Sequence, residues 1–322
     1  MDPHERQPGD SEEPGLVPPY ASSHFLAFLR ERNLAILDVR RGAAPDSRRL
    51  ILGPPGGTKV AWVVAVAHGP RENNAVDNEE QVLHHAHSVL RTGLRSSIPE
   101  VRERIEVYSS LDGLLLTAVP GLTVGDRRRT AQRTRELLTA VPRWIGGLWT
   151  DSASGTARTD LGAADVRAVL AQHQPIPRLE PAMDAIRRAR LRIAEYEVPQ
   201  TLTHGCLCPR HVTLVDGVLG VDDWGAGATA GDPLRDVGRF GVGVAGGRLP
   251  EVLAGRSTFA AEIRTFLGAV LVHTSVPPQL WREVLVLAQL ELATESLERA
   301  DPNGMHLLSR AVRLSKALTR TR

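Results

Sequence analysis

Residues 201–240 read TLTHGCLCPRHVTLVDGVLGVDDWGAGATAGDPLRDVGRF, and the punctuation of that stretch decides how the chain is laid out. Leu202, Val212, Leu214, Val218, Leu219 and Val221 fall in short apolar runs broken by Gly and Asp. Such runs predict short strands joined by tight turns. The order is a strand, a tight loop, two strands joined by a turn, a polar loop and a helix. Asp232 before Pro233 supplies an N-cap and a first-turn proline for that helix.

Within it, His204-Gly205, Leu207, Asp223-Trp224 and Gly231-Asp232-Pro233-x-x-Asp236 occur in a fixed order and spacing. The set resembles the catalytic and metal-binding segment of the aminoglycoside phosphotransferases and related small-molecule kinases of the protein-kinase-like fold. The resemblance covers roughly residues 30–320. It implies a bilobal α+β chain: a disordered tail over 1–22, an N-lobe over 23–120 with an antiparallel sheet and one helix, and a mostly helical C-lobe over 121–322. It further implies ATP and magnesium as cofactors, Asp223 as the metal-binding carboxylate, and a hinge at Ala118 and Val119 whose backbone meets adenine. His204 and Asp236 would then brace loops rather than perform chemistry.

Two decisive positions depart from the pattern. Where the family has the Asp that accepts the substrate's hydroxyl proton, this chain has Cys206, and where it has the Asn that helps hold magnesium, this chain has His211. A thiol is mostly protonated at neutral pH, and its thiolate is a soft, weakly hydrogen-bonding base. Magnesium prefers oxygen donors, so His211 is a weak metal ligand at that place. Loss of a general base commonly removes roughly 10²–10⁴ in rate.

The N-terminal half shows a third departure. Apolar runs at 33–40, 48–52, 60–67, 105–109 and 114–119 predict the sheet strands, with Gly53-Pro54-Pro55-Gly56-Gly57 as a hairpin turn. Its two prolines lack the backbone donors that a phosphate cradle needs. In the register where the family carries the phosphate-orienting Lys, the strand has Ala65, and no residue over 60–67 is basic. Lys59 is six residues earlier, ~20 Å along an extended strand. The partner Glu on the following helix is Glu79 or Glu80. His84, His85 and His87 on that helix, expected over 78–94, lack a third ligand and read as exposed. Further helices are expected at 23–33, 129–149, 160–173, 178–196, 258–272, 278–300 and 305–319.

Composition narrows the classes. Lys plus Arg number 39 against 37 Asp plus Glu, a net charge of +2, which gives no electrostatic case for nucleic acid. Two cysteines, both in the 204–211 loop, argue against a disulfide scaffold and for a reducing, cytoplasmic compartment. The first twenty residues are acidic and proline-rich without an apolar core, unlike a signal peptide, and no run is long enough to span a bilayer.

The expected function is a phosphotransferase-like protein with a degenerate site. It would be catalytically impaired and serve as a binding or regulatory partner, of a small molecule or a protein, in a biosynthetic or resistance pathway. One alternative is an active ATP-dependent kinase acting on a hydroxyl of a small molecule or peptide, using Asp223 with Asp222. The other is a thiol- or metal-dependent activity centred on Cys206, with His204, Cys208 and His211 as further donors. Zinc is not expected, because it favours Cys-x-x-Cys over the Cys-x-Cys spacing found here.

Overall fold

The computed structural model describes residues 21–42, 47–67, 70–108, 111–124, 130–163, 179–299, 301 and 303–319. Five strands, β1 (Ala35–Arg41), β2 (Ser47–Gly53), β3 (Trp62–Ala67), β4 (Val101–Tyr108) and β5 (Leu111–Thr117), form one sheet in the order β1-β2-β3-β5-β4. Every pairing is antiparallel. The central strands are apolar in both phases because both faces are covered. Leu50, Leu52, Val64, Val66 and Leu115 pack with Phe25 and Leu29 of α1 (Ser23–Glu31), whose N-cap Ser22 accepts from the Phe25 amide. Ile51, Val63, Ala65, Leu114 and Leu116 join the larger core with Val82, Leu83 and Ala86 of α2 (Pro70–Val89). The expected turn between β2 and β3 is present.

The remainder is mostly helical. α3 (Thr92–Arg95) is one turn, α4 (Ala131–Ser152) is long, and β6 (Gly155–Arg158) follows it. After α5 (Leu179–Ala194) come β7 (Glu197–Thr203), the hairpin β8 (Val212–Val215) and β9 (Val218–Val221), and β10 (Ala228–Gly231). The chain continues through α6 (Pro233–Ala245), α7 (Leu249–Ala254), α8 (Thr258–Leu271), α9 (Trp281–Glu298), α10 (Gly304–Leu314) and α11 (Lys316–Thr319). Helix α9 is buried nearly all round, so its sequence shows little amphipathic contrast.

Several expectations need correction. β7 is the centre of a small sheet, β10-β7-β6, where irregular chain was expected at both partners; these four-residue strands are too short and polar to show a period. Helix α2 starts at Pro70 rather than 78 and stops at Val89, with 92–95 a separate turn. Ala21 and Ser22, assigned to the tail, are instead tied to the sheet: Ala21 bridges Tyr108, and the Ser22 amide donates to the Val107 carbonyl at 2.8 Å. The rest of that tail and most of the helix expected over 160–173 lie outside the described residues.

Candidate functional site

The site lies where the inward face of the sheet, helix α2 and the loops on either side of β8 and β9 come together. Strand alternation puts Arg49 of β2 in the same inward phase as Ile51, and its cross-strand partner on β3 is Ala65. A cation therefore stands on the neighbouring strand, over a methyl group small enough to admit it. Arg49 Nη2 donates to Glu79 Oε1 at 2.5 Å and to Asp223 Oδ1 at 2.9 Å. Arg49, Glu79 and Asp223 are 4%, 2% and 3% exposed, so the three charges are withdrawn from bulk solvent. Burial opposes the guanidinium charge, but Asp223, Glu79 and Asp222 outweigh it, and the Arg49 pKa is raised. Arg49 Nε and Nη1 are buried without a hydrogen-bond partner among the described residues.

Helix α2 also fixes the Asp-Trp loop. Glu79 Oε1 accepts from the Trp224 amide at 3.0 Å, and Asn78 Nδ2 donates to the carbonyls of Gly225 and Gly227 at 3.1 and 2.9 Å. Asp223 holds φ at 70°, a region that non-glycine residues seldom occupy. Glu80, the other candidate partner, is not brought to the site. It accepts from Arg104 of the edge strand β4.

The loop between β7 and β8 presents the altered residues. Gly205 holds φ at 80°, and a Cβ there would sit 1.8 Å from the Ala226 carbonyl oxygen, so only glycine fits. Asp236 on α6 braces the loop by accepting from the His204 amide at 2.6 Å and the Leu207 amide at 3.4 Å, and Arg239 Nη1 donates to the Gly205 carbonyl at 2.7 Å. His204 Nε2 meets the Asp222 carbonyl at 2.7 Å, which fixes the proton on Nε2 and leaves Nδ1 as a lone pair. Asp232 caps α6 by accepting from the Leu234 amide at 2.9 Å. These are the bracing contacts expected of His204, Asp232 and Asp236.

His211 Nε2 lies 3.4 Å from Asp223 Oδ2, so both carboxylate oxygens of Asp223 face protein nitrogens, Arg49 on one side and His211 on the other. Burial, with smaller contributions from His204, Arg210 and Arg49, lowers the His211 pKa to about 3 against the pull of Asp223. The imidazole is thus neutral at physiological pH. The Cys206 thiol is pushed well above its usual pKa, first by burial and then by Asp223. It is a protonated thiol at neutral pH and cannot act as a base. This donor set does not fit magnesium: a buried cation holds the Asp223 carboxylate, and an imidazole stands where the resemblance places an Asn oxygen.

In the segment expected to form the hinge, Ala118 is half-buried and Val119 buried, and the Pro120 carbonyl accepts from Thr213 Oγ1 of β8. Of the sequence-predicted residues, Cys206, His211, Glu79 and Asp223 converge and Glu80 does not. Arg49 was missed, although a charge in the inward phase of an apolar strand was there to be read.

No protein-family model matches the chain, and no curated protein sequence matches it. Solved structures do. A thermostable variant of aminoglycoside phosphotransferase APH(4)-Ia, in ternary complex with ADP and hygromycin B, is similar with a TM-score of 0.59 at 17% identity, over 91% of this chain and 97% of that one. A choline/ethanolamine kinase family protein from Mesorhizobium loti has a TM-score of 0.59 at 15% identity, over 88% of each chain. Macrolide 2'-phosphotransferase MphH from Brachybacterium faecium has a TM-score of 0.56 at 17% identity, over 89% of this chain and 97% of that one. The five-stranded antiparallel sheet with its mostly helical partner is therefore the bilobal α+β fold of protein-kinase-like phosphotransferases. Among the described residues, no helix is long and apolar enough to cross a membrane.

Proposed function

We propose that this chain is a phosphotransferase-fold protein whose site has been disarmed, and that it acts by binding a small molecule or a protein partner rather than by transferring phosphate. The observation that carries this reading is the state of Asp223. Its two oxygens, which a magnesium-dependent transfer would need, face Arg49 at 2.9 Å and His211 at 3.4 Å in a site withdrawn from bulk solvent. The Cys206 thiol in place of a carboxylate supports it further, since nothing at that position takes a proton at neutral pH. Positioning and charge neutralisation make up most of phosphoryl transfer, and both are compromised here.

A second reading, an active ATP-dependent kinase on a hydroxylated small molecule or peptide, is favoured by one feature. Arg49 restores a cation paired to Glu79, and its free Nε and Nη1 would be satisfied by phosphate oxygens. Turnover and binding separate the two. ADP formation is measured on the purified protein with ATP, magnesium and a panel of hydroxylated acceptors, alongside Asp223→Ala. Equal background in both proteins is expected. Wild-type turnover that disappears in Asp223→Ala would establish the kinase instead. Thermal shift with ATP, with and without magnesium, reports nucleotide binding independently of chemistry.

A further inference from the structure

We propose that the loop between β7 and β8 is a binding site for a zinc-class ion, held by His204 Nδ1, Cys206 Sγ and His211 Nδ1. One ligand atom from each of these residues lies within 4.8 Å of the other two. Cys206 Sγ is 3.6 Å from His204 Nδ1 and 3.7 Å from His211 Nδ1. Tetrahedral zinc with bonds of 2.3 Å to sulfur and 2.0–2.1 Å to nitrogen places its sulfur and nitrogen ligands about 3.6 Å apart. The two imidazole centroids are 5.2 Å apart with planes at 22°. Two imidazoles sharing one tetrahedral ion have centroids about 5 Å apart.

The surroundings prepare the same donors. His204 spends its Nε2 proton on the Asp222 carbonyl, which leaves the Nδ1 lone pair facing Cys206, where it accepts from the Cys206 amide at 3.4 Å and lies 3.6 Å from Sγ. Backbone carbonyls in this position fix the tautomer of metal-ligating histidines. His211 Nδ1 lies 3.1 Å from the Cys206 carbonyl, while its Nε2 accepts from Arg210 Nε at 2.9 Å. When Nδ1 takes the metal, the ring proton moves to Nε2, the exposed Arg210 side chain turns its Nε–H away, and Asp223 Oδ2 at 3.4 Å accepts the proton as an outer partner. The Cys206 thiol loses its proton to solvent as the sulfur–metal bond forms, so one proton is released per ion bound. Asp236 and Arg239 already hold the loop backbone, so little ordering is left for the ion to impose. Cys208 Sγ lies 3.6 Å from His211 Nδ1 but outside the converging group. The Cys-x-Cys spacing that argues against zinc in the sequence does not apply here, because the converging set is one cysteine with two histidines.

The proposal is tested on the full chain, stripped with a chelator and titrated with zinc against a chromophoric competitor, with cobalt(II) as spectroscopic probe. One equivalent of zinc per chain is expected, with a chelator-reversible rise in melting temperature. Cobalt should give the intense visible bands of a tetrahedral site together with sulfur-to-cobalt charge transfer. Cys206→Ser and His211→Asn should each weaken zinc at least ~100-fold. Absence of stoichiometric zinc in the wild type, a weak octahedral cobalt spectrum, or undiminished zinc in a folded Cys206→Ser protein would each overturn it. Should both variants fail to fold, the wild-type stoichiometry and cobalt spectrum still decide. None of these readouts involves nucleotide turnover, so the outcome is separate from that of the proposed function.

Discussion

Replacing Arg49 by Met tests the centre of the structural argument, because it removes a buried cation and keeps most of the side-chain volume. The guanidinium holds Glu79 at 2.5 Å and Asp223 at 2.9 Å, and none of the three residues is more than 4% exposed. Breaking a buried pair by removing one partner costs about 3–5 kcal/mol, since the remaining charge stays buried without compensation. Here two carboxylates are stranded. Glu79 keeps the Trp224 amide, which limits the additional loss. The expected destabilisation is about 4 kcal/mol, or roughly 8 °C in melting temperature at ~2 °C per kcal/mol for a chain of this size. Urea denaturation followed by fluorescence reports it, since Trp144 and Trp224 are buried with ring centroids 6.2 Å apart. The deficit should shrink as the pH is lowered, because protonating the stranded carboxylates relieves the unpaired charge. Arg49→Lys should cost less, about 1–2 kcal/mol, since a compact ammonium keeps the charge but cannot bridge both partners as well. A loss in Arg49→Met below ~1 kcal/mol would refute the claim that this triad is buried and mutually dependent.

Gly205→Ala should destabilise by about 3 kcal/mol, because it adds a clash with the Ala226 carbonyl to the cost of a left-handed backbone; chemical denaturation measures it, and near-neutrality would mean the loop sits elsewhere. Asn78→Ala should cost roughly 1–2 kcal/mol through its two bonds to the 225 and 227 carbonyls, seen also as faster amide exchange in residues 222–227. His211 gives a pH dependence in metal-free protein. With its folded pKa near 3 and its unfolded value at 6.5, the unfolded chain binds the extra proton between them, so stability is full above 6.5 and falls as the pH drops through that window. Between about pH 7 and pH 5 the wild type should lose roughly 2 kcal/mol more than His211→Asn, and equal urea midpoint shifts in the two proteins would contradict the burial argument.

The sequence carried the fold further than it carried the site, for a reason visible in particular residues. β2, β3 and β5 were legible because burial on both faces forces stretches of Val, Leu and Ile, whereas β4, half exposed, starts at 101 and showed an apolar run only from 105. β6 and β10 were not, because each is four residues long and owes its pairing to β7 rather than to its own pattern. Within the site, Cys206 and His211 could be found by spacing alone, since both replace residues inside one short motif. Arg49 could not be found that way. It is 16 residues away from Ala65 in sequence, and only the register of β2 on β3 makes the two adjacent. A linear motif asks which residue occupies a strand position, whereas the chemistry asks which side chain reaches a point in space, and on a pleated sheet the neighbouring strand reaches the same point. A strand that has lost its cation is therefore not evidence that the cation is gone until the inward phase of both flanking strands has been read. The same reasoning applies to the donors of the 204–211 loop: Cys206 and Cys208 are a poor chelating pair by spacing, but the folded loop instead sets Cys206 between two imidazoles.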